Sequence, residues 1–190
     1  MRKDLEFLLK KIFFSEKYLL EKRLKRAIKK EYEKELKIID KFADKSKDAL
    51  DVGVYRGVYS YKLSQNFKNI HSFEPNPLLF PYLEKNLYKI ISNIKLYNLA
   101  LSNDNGVTEL KIPLRSKSIF QDNIEELFQL GAATMHPKNK ISKYKKVNIK
   151  MKKLDDIKIE NKIGLIKIDV EGHEKNVLQG GLETVKNNMP

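Results

Sequence analysis

From Ala49 onward one alternation governs the chain: a short apolar run ending in glycine or a polar residue, then a stretch with helical spacing. ALDVG (49 to 53), IHSF (70 to 73) and IKLYNLAL (94 to 101) are the runs. Gly57 to Phe67 and PLLFPYLEKNLYKI (77 to 90) are the helical stretches, and Pro77 is acceptable in a first turn. Strands separated by helices pair in parallel through right-handed crossovers, so the pattern predicts an α/β fold with a mostly parallel sheet and flanking helices. IGLIKID (163 to 169) is predicted as a further, buried strand, with Glu174 to Asn187 as its following helix.

Elsewhere the pattern differs. VTELKIPL (107 to 114) and KVNIKMKKL (146 to 154) alternate with period two, which predicts antiparallel or edge strands, and NIEELFQLGAATM (123 to 135) reads as a short helix and a glycine turn. Residues 1–48 hold no glycine or proline, and Leu20, Leu24, Ile28, Tyr32, Leu36 and Ile39 make one apolar stripe. The chain is thus divided into a basic helical N-terminal extension, 1–48, and an α/β domain, 49–190. Ser15 before Glu16 is a candidate cap that splits the extension into two helices. Packing of this extension on its own domain is the preferred reading; peripheral contact with an anionic membrane or a partner is the other.

Glu6, Lys10 and Lys11 interrupt the first apolar residues, which argues against a signal peptide, and no run of eighteen apolar residues offers a transmembrane helix. A cytoplasmic location is expected. The absence of cysteine excludes disulfides and thiolate nucleophiles, and three scattered histidines give no reason to expect a metal centre.

A net charge of +13 raises nucleic acid as a partner, above all through the lysines at 138, 140, 143, 145, 146, 150, 152 and 153. Yet 33 lysines stand against 5 arginines, alongside 18 isoleucines and 15 asparagines. Arginine is the residue suited to bidentate phosphate and base contacts, so a solvated lysine surface is the better reading.

DVGVYRG (51 to 57) falls at the carboxyl end of the first predicted strand. Gly53 permits a sharp turn and close approach of a ligand, and Gly57 permits the next helix to start hard against the sheet. Glu74 in FEPNP follows the second strand, 21 residues past Gly53, where a carboxylate accepts both hydroxyls of a ribose. A dinucleotide needs glycine at the middle of that turn for its pyrophosphate; Tyr55 stands there instead, which favours an adenosine cofactor without phosphates.

DVGVYRGVYS, FEPNP, NLALSNDNG, LDDI and IKIDVEGHEKNVLQGG, in this order and spacing, resemble the FkbM family of S-adenosyl-L-methionine-dependent methyltransferases from about Ala49 to the end. The resemblance implies a Rossmann-like methyltransferase fold and methyl transfer to a hydroxyl of a sugar, glycan or natural product. It implies Asp51 and Gly53 beside the methionine part of the cofactor, Glu74 at the ribose, and Asn98, Ala100 and Leu101 along the adenine edge. Asp169 would lie under the reacting methyl. Tyr55 and Arg56 depart from the small polar and aliphatic residues more usual in the family. A domain of this kind also normally adds strands beyond the fourth, so the chain reads as truncated at its C-terminus.

Asp169, Glu171 and Glu174 crowd six positions although like charges repel. A cationic cofactor would compensate carboxylates facing it, and Glu174 also suits a helix start. Asp169 or His173 is the candidate base for the acceptor proton, with an ordinary surface imidazole the preferred reading of His173. Two other functions stay open: a nucleic-acid binder or nucleic-acid methyltransferase using the lysine cluster, and an inactive, truncated partner-binding module.

Overall fold

The computed structural model describes residues 16–29, 34–113, 133–135 and 144–188. In chain order the elements are α1 (Glu16–Lys29), two 3-10 turns (Lys34–Lys37 and Ile39–Phe42), β1 (Asp48–Val52), α2 (Val58–Ser64), β2 (Ile70–Phe73), α3 (Phe80–Leu87), β3 (Ile94–Tyr97) and β4 (Ala100–Leu101). Then follow β5 (Gly106–Pro113), β6 (Tyr144–Lys152), a 3-10 turn (Leu154–Asp156), β7 (Ile163–Ile168), α4 (Glu174–Gln179) and α5 (Leu182–Asn188). Ser15 and the predicted helix over 123 to 132 lie outside the described residues.

The central sheet is parallel throughout, in the order β3-β2-β1-β7, and helices cover it. Apolar side chains alternate across it because successive strand residues face opposite ways. Ala49, Ile70, Ile94 and Leu96 pack with Leu63, Phe67, Leu79, Leu83 and Leu87 from the α2 and α3 side. Leu50, Val52 and Phe73 point oppositely, onto Leu154 and Val177. A second sheet, β4-β6-β5, has its own small core of Ala100, Leu110, Ile112 and Ile149.

Leu20, Leu24, Leu36 and Ile39 join the α2 and α3 core, so the described part of the extension shares a core with the domain. Each such buried leucine or isoleucine contributes about 2 kcal/mol relative to exposure. The described helix spans Glu16–Lys29, and residues 34–42 are 3-10 turns rather than α-helix. Among the described residues no helix is long and apolar enough to cross a membrane.

Beyond the N-terminal extension, three predicted elements differ from the fold. The run 94 to 101 is two strands: β3 ends at Tyr97, and Ala100 and Leu101 pair with Met151 and Lys152 in the other sheet. Asn98 makes the break, its Nδ2 donating to the Glu74 carbonyl at 2.9 Å. β5 and β6 pair antiparallel, as their period-two alternation predicts, with β5 at the edge of the sheet and β6 at its centre. β7 is half-buried rather than buried, because among the described residues it pairs only with β1. The last helix is interrupted after Gln179, where Gly180 and Gly181 sit against the Ser102 carbonyl and the Leu154 side chain. A Cβ on Gly180 would fall 1.8 Å from that carbonyl oxygen, so the chain bends here around backbone.

Candidate active site

The ladder of the parallel sheet carries four strand ends to one rim. Gly53 N donates to Phe73 O, Glu74 N to Tyr97 O, and Asp169 N to Val52 O, each at 3.0 Å. Gly53, Glu74, Asn98 and Asp169 are thereby neighbours at the carboxyl ends of β1, β2, β3 and β7, the place where open parallel sheets take ligands.

Gly53 has φ +86°, a conformation that side chains disfavour, and a Cβ there would lie 2.0 Å from the Asp169 carbonyl oxygen. The close neighbour that demands glycine is therefore the β7 backbone. Gly57 corrects the sequence expectation more sharply. It precedes α2 at φ +75°, and what a Cβ would meet is the Leu87 side chain of α3, at 2.7 Å, rather than the sheet.

Between these glycines Tyr55 takes the left-handed conformation, φ 49°, that a glycine would occupy freely. Its amide donates to Glu74 Oε2 at 3.1 Å, while Asn76 N donates to Oε1 at 3.0 Å. Burial raises the Glu74 carboxyl above the usual range; the two amides oppose this, and the charge of Asp51 adds to it.

Asp51 is fully buried. Its Oδ2 accepts the Ser60 hydroxyl at 2.6 Å, and Ser60 Oγ is 3.0 Å from Ser72 Oγ. Among the described residues Oδ1 has no aligned hydrogen-bond donor. The Lys167 ammonium lies 3.2 Å from it, off the hydrogen-bonding direction, as an ion pair. The same ammonium donates to the Gly53 carbonyl at 2.6 Å, sits 3.9 Å from Asp169 Oδ2, and lies 4.8 Å from the centre of the Tyr59 ring.

Asp169 itself is 68% exposed. Glu171, left-handed at φ 51°, gives its carbonyl to the Thr134 hydroxyl at 2.9 Å, so the 133–135 segment docks onto this loop. Burial first, then Asp169 and Glu174, push the Glu171 carboxyl up. Glu174 behaves differently. Burial works to raise it, but its own amide and those of Val170 and Gly172 carry it below the usual range, with bonds from the latter two at 3.1 and 3.2 Å. It ties the loop to the helix start. The crowding of three acids is thus resolved locally for one of them, Glu174.

The remaining sequence candidates are not at the rim. The side chains of Ala100 and Leu101, predicted along an adenine edge, are buried in separate cores. His173 turns its Nε2 to Ser102 Oγ at 2.9 Å, tying it to the residue after β4 rather than to Asp169. Among the described residues no cluster of acids and histidines is arranged to hold a metal. A polar groove of about 340 Å³ opens at the start of β7, lined by Asp155, Ile163 and Asn188 among others; it includes none of the rim residues.

Lys167 is the residue that motif reading passed over. Its signal was present: one lysine inside the otherwise apolar run IGLIKI has no place in a strand core unless a buried carboxylate receives it.

A family model for the methyltransferase FkbM domain matches residues 51–190. No curated protein and no solved structure matches the chain.

Proposed function

We propose, from the premise that the chain belongs to the FkbM methyltransferase family, that its rim binds S-adenosyl-L-methionine and directs O-methylation of a sugar, glycan or natural-product hydroxyl. The observation that carries this reading is the meeting of Gly53, Glu74 and Asp169, from three separate strands, at one sheet edge. A Rossmann-like methyltransferase core is the architecture it assumes.

The donor set suits a cationic adenosine cofactor. Asp51 Oδ1 is a buried acceptor without an aligned donor, and each Glu74 oxygen keeps a lone pair beyond the amide it already accepts. Against two carboxylates, Asp51 and Asp169, stands one ammonium, leaving the corner anionic. When bound, the cofactor supplies an electrophilic methyl on a sulfonium.

The chain's own residues then divide the work. Glu74 receives the ribose hydroxyls, with Asn98 fixing its backbone from β3. Gly53 and Asp51 border the methionine part. Asp169, exposed at the rim, orients the acceptor and takes the hydroxyl proton as the alcohol becomes nucleophilic. Holding that oxygen in line behind the methyl supplies most of the acceleration, an effect that reaches about 7 kcal/mol or more in well-oriented systems. His173, engaged by Ser102, shapes the start of α4.

Calorimetry with S-adenosylhomocysteine tests the reading. Binding by the wild type, loss in Glu74→Ala, and, in Asp169→Asn, weakened binding with turnover still lost at saturating cofactor support it. No binding by the folded wild type overturns it.

A further inference from the structure

We propose that Lys167 is a tethered competitor of the cofactor: its ammonium fills the seat that the cofactor's amino-acid ammonium takes over on binding. The inference rests on the S-adenosyl-L-methionine reading above and adds to it the residue that sets cofactor affinity.

The seat is a cation site by its chemistry. Three acceptors from two strands surround one point: the Gly53 carbonyl, Asp51 Oδ1 and Asp169 Oδ2, with the Tyr59 ring alongside. All three bear negative charge or partial charge, and an aromatic face also favours a cation. Lys167 enters from below, out of β7, where its Cα pairs in register with Asp51. Its side chain is only 13% exposed, and its own ammonium is the cation that now satisfies the site.

It satisfies the site incompletely. Only the Gly53 carbonyl receives an aligned hydrogen bond; Asp51 Oδ1, buried, does not, and Asp169 Oδ2 is beyond hydrogen-bond reach at 3.9 Å. A stem anchored in β7 restricts how the ammonium head can turn. A free ammonium arriving from the solvent side, where Asp169 is exposed, has no such restriction and can donate to all three. Lys167 then withdraws past Tyr59, and affinity equals the intrinsic binding less the cost of breaking the tether's own bonds. This makes Lys167 a specificity-determining group: a cofactor fragment without an ammonium has no reason to displace it.

Two ligands separate the possibilities in the full chain. S-adenosylhomocysteine carries the ammonium; 5′-methylthioadenosine shares the adenosine and sulfur but lacks the amino-acid head. In Lys167→Met, affinity for S-adenosylhomocysteine is expected to rise about tenfold, the size of one charge-assisted hydrogen bond no longer broken. Affinity for 5′-methylthioadenosine is expected to stay at the wild-type value, and Lys167→Arg is expected to keep the competition. A wild-type measurement covers the case of a misfolded variant: brief acetylation read by mass spectrometry, in which S-adenosylhomocysteine raises the reactivity of Lys167 and 5′-methylthioadenosine does not.

Weaker S-adenosylhomocysteine binding in Lys167→Met, an equal change for both ligands, or protection of Lys167 by S-adenosylhomocysteine overturns the inference while leaving the cofactor reading intact. Failure of both ligands to bind wild type sinks the reading on which it rests.

Discussion

Asp48 and Asp51 lie on one strand, both out of water, and the molecule equips them differently. At the amino end of the sheet, Asp48 accepts from Asn69 Nδ2 at 2.9 Å and from Asn161 Nδ2 at 3.2 and 3.3 Å, and pairs with His71 Nε2 at 3.0 Å. His71 is held in turn by the Tyr97 hydroxyl, 3.0 Å from Nδ1. At the carboxyl end, Asp51 has one aligned bond, from Ser60, and one oxygen facing a misaligned ammonium. A buried carboxylate left half satisfied costs stability, and proteins keep such costs mainly where a ligand removes them. The contrast separates a carboxylate whose partners are complete from one left half satisfied.

The largest expected effect concerns what joins the two strands at the carboxyl end. Gly53→Ala drives a Cβ to 2.0 Å from the Asp169 carbonyl and forces a side chain into φ +86°. Combined backbone strain and overpacking are expected to remove about 4 kcal/mol. Urea unfolding checks it: a midpoint equal to wild type would mean that the β1 and β7 ends separate freely and that the rim is not a fixed constellation.

Next comes the pair itself. Asp48→Asn places an amide among the donors from Asn69, Asn161 and His71 and leaves at least one unpaired, for an expected loss of about 3 kcal/mol. Asp51→Asn keeps a group able to bond Ser60, whose hydroxyl both donates and accepts, and is expected to cost about 1 kcal/mol while abolishing S-adenosylhomocysteine binding. Equal costs in chemical denaturation would erase the distinction between the two ends.

This asymmetry also explains what the sequence could reveal. The alternation of apolar runs and helices dictates a parallel sheet, and Gly53, Glu74 and Asp169 follow because each ends a run. The split of the run 94 to 101 is hidden for the same reason: NLAL continues an apolar run, and nothing local says that Asn98 will turn aside to bond the Glu74 carbonyl while Ala100 and Leu101 join the other sheet. The Asp48 network joins residues 48, 69, 71, 97 and 161, and such pairings exist only after the strands register. Gly57 carried the right residue with the wrong neighbour, since Leu87 comes into contact through helix packing.

A smaller effect sharpens the carboxyl end by pH. Burial, foremost, raises the Glu74 carboxyl in the folded chain above its unfolded value. A raised acid contributes stability that is complete below the unfolded pKa, about 4.5, and is lost as pH rises through the folded value. Wild type without ligand is therefore expected to lose stability from pH ~4.5 toward neutrality relative to Glu74→Gln, by about 1.4 kcal/mol for each unit that Glu74 is raised. Thermal melts of both proteins across that range measure the difference. Parallel curves would mean that Glu74 is not a strained acid, and the unsatisfied charge at this rim would rest on Asp51 alone.

The smallest effect is a control of opposite sign, away from both ends of β1. Asp155 accepts from Thr184 N and Thr184 Oγ1, each at 2.7 Å, and from Glu183 N at 3.2 Å, capping α5 from the turn after β6. Burial acts to raise its carboxyl, but these donors and nearby Lys153 hold it below the usual range. A lowered acid gives stability that is present above the unfolded value, near 3.8, and vanishes as pH falls through the folded one. Asp155→Ala is accordingly expected to cost about 1 kcal/mol at neutral pH, as for other lost helix caps, and nothing once Asp155 is protonated in wild type. Because its partners are chiefly backbone amides and a hydroxyl, added salt should change this loss little. A loss that persisted in acid would assign Asp155 a packing role instead, and would remove the contrast between an acid whose donors outweigh its burial and one, Glu74, whose burial outweighs its donors.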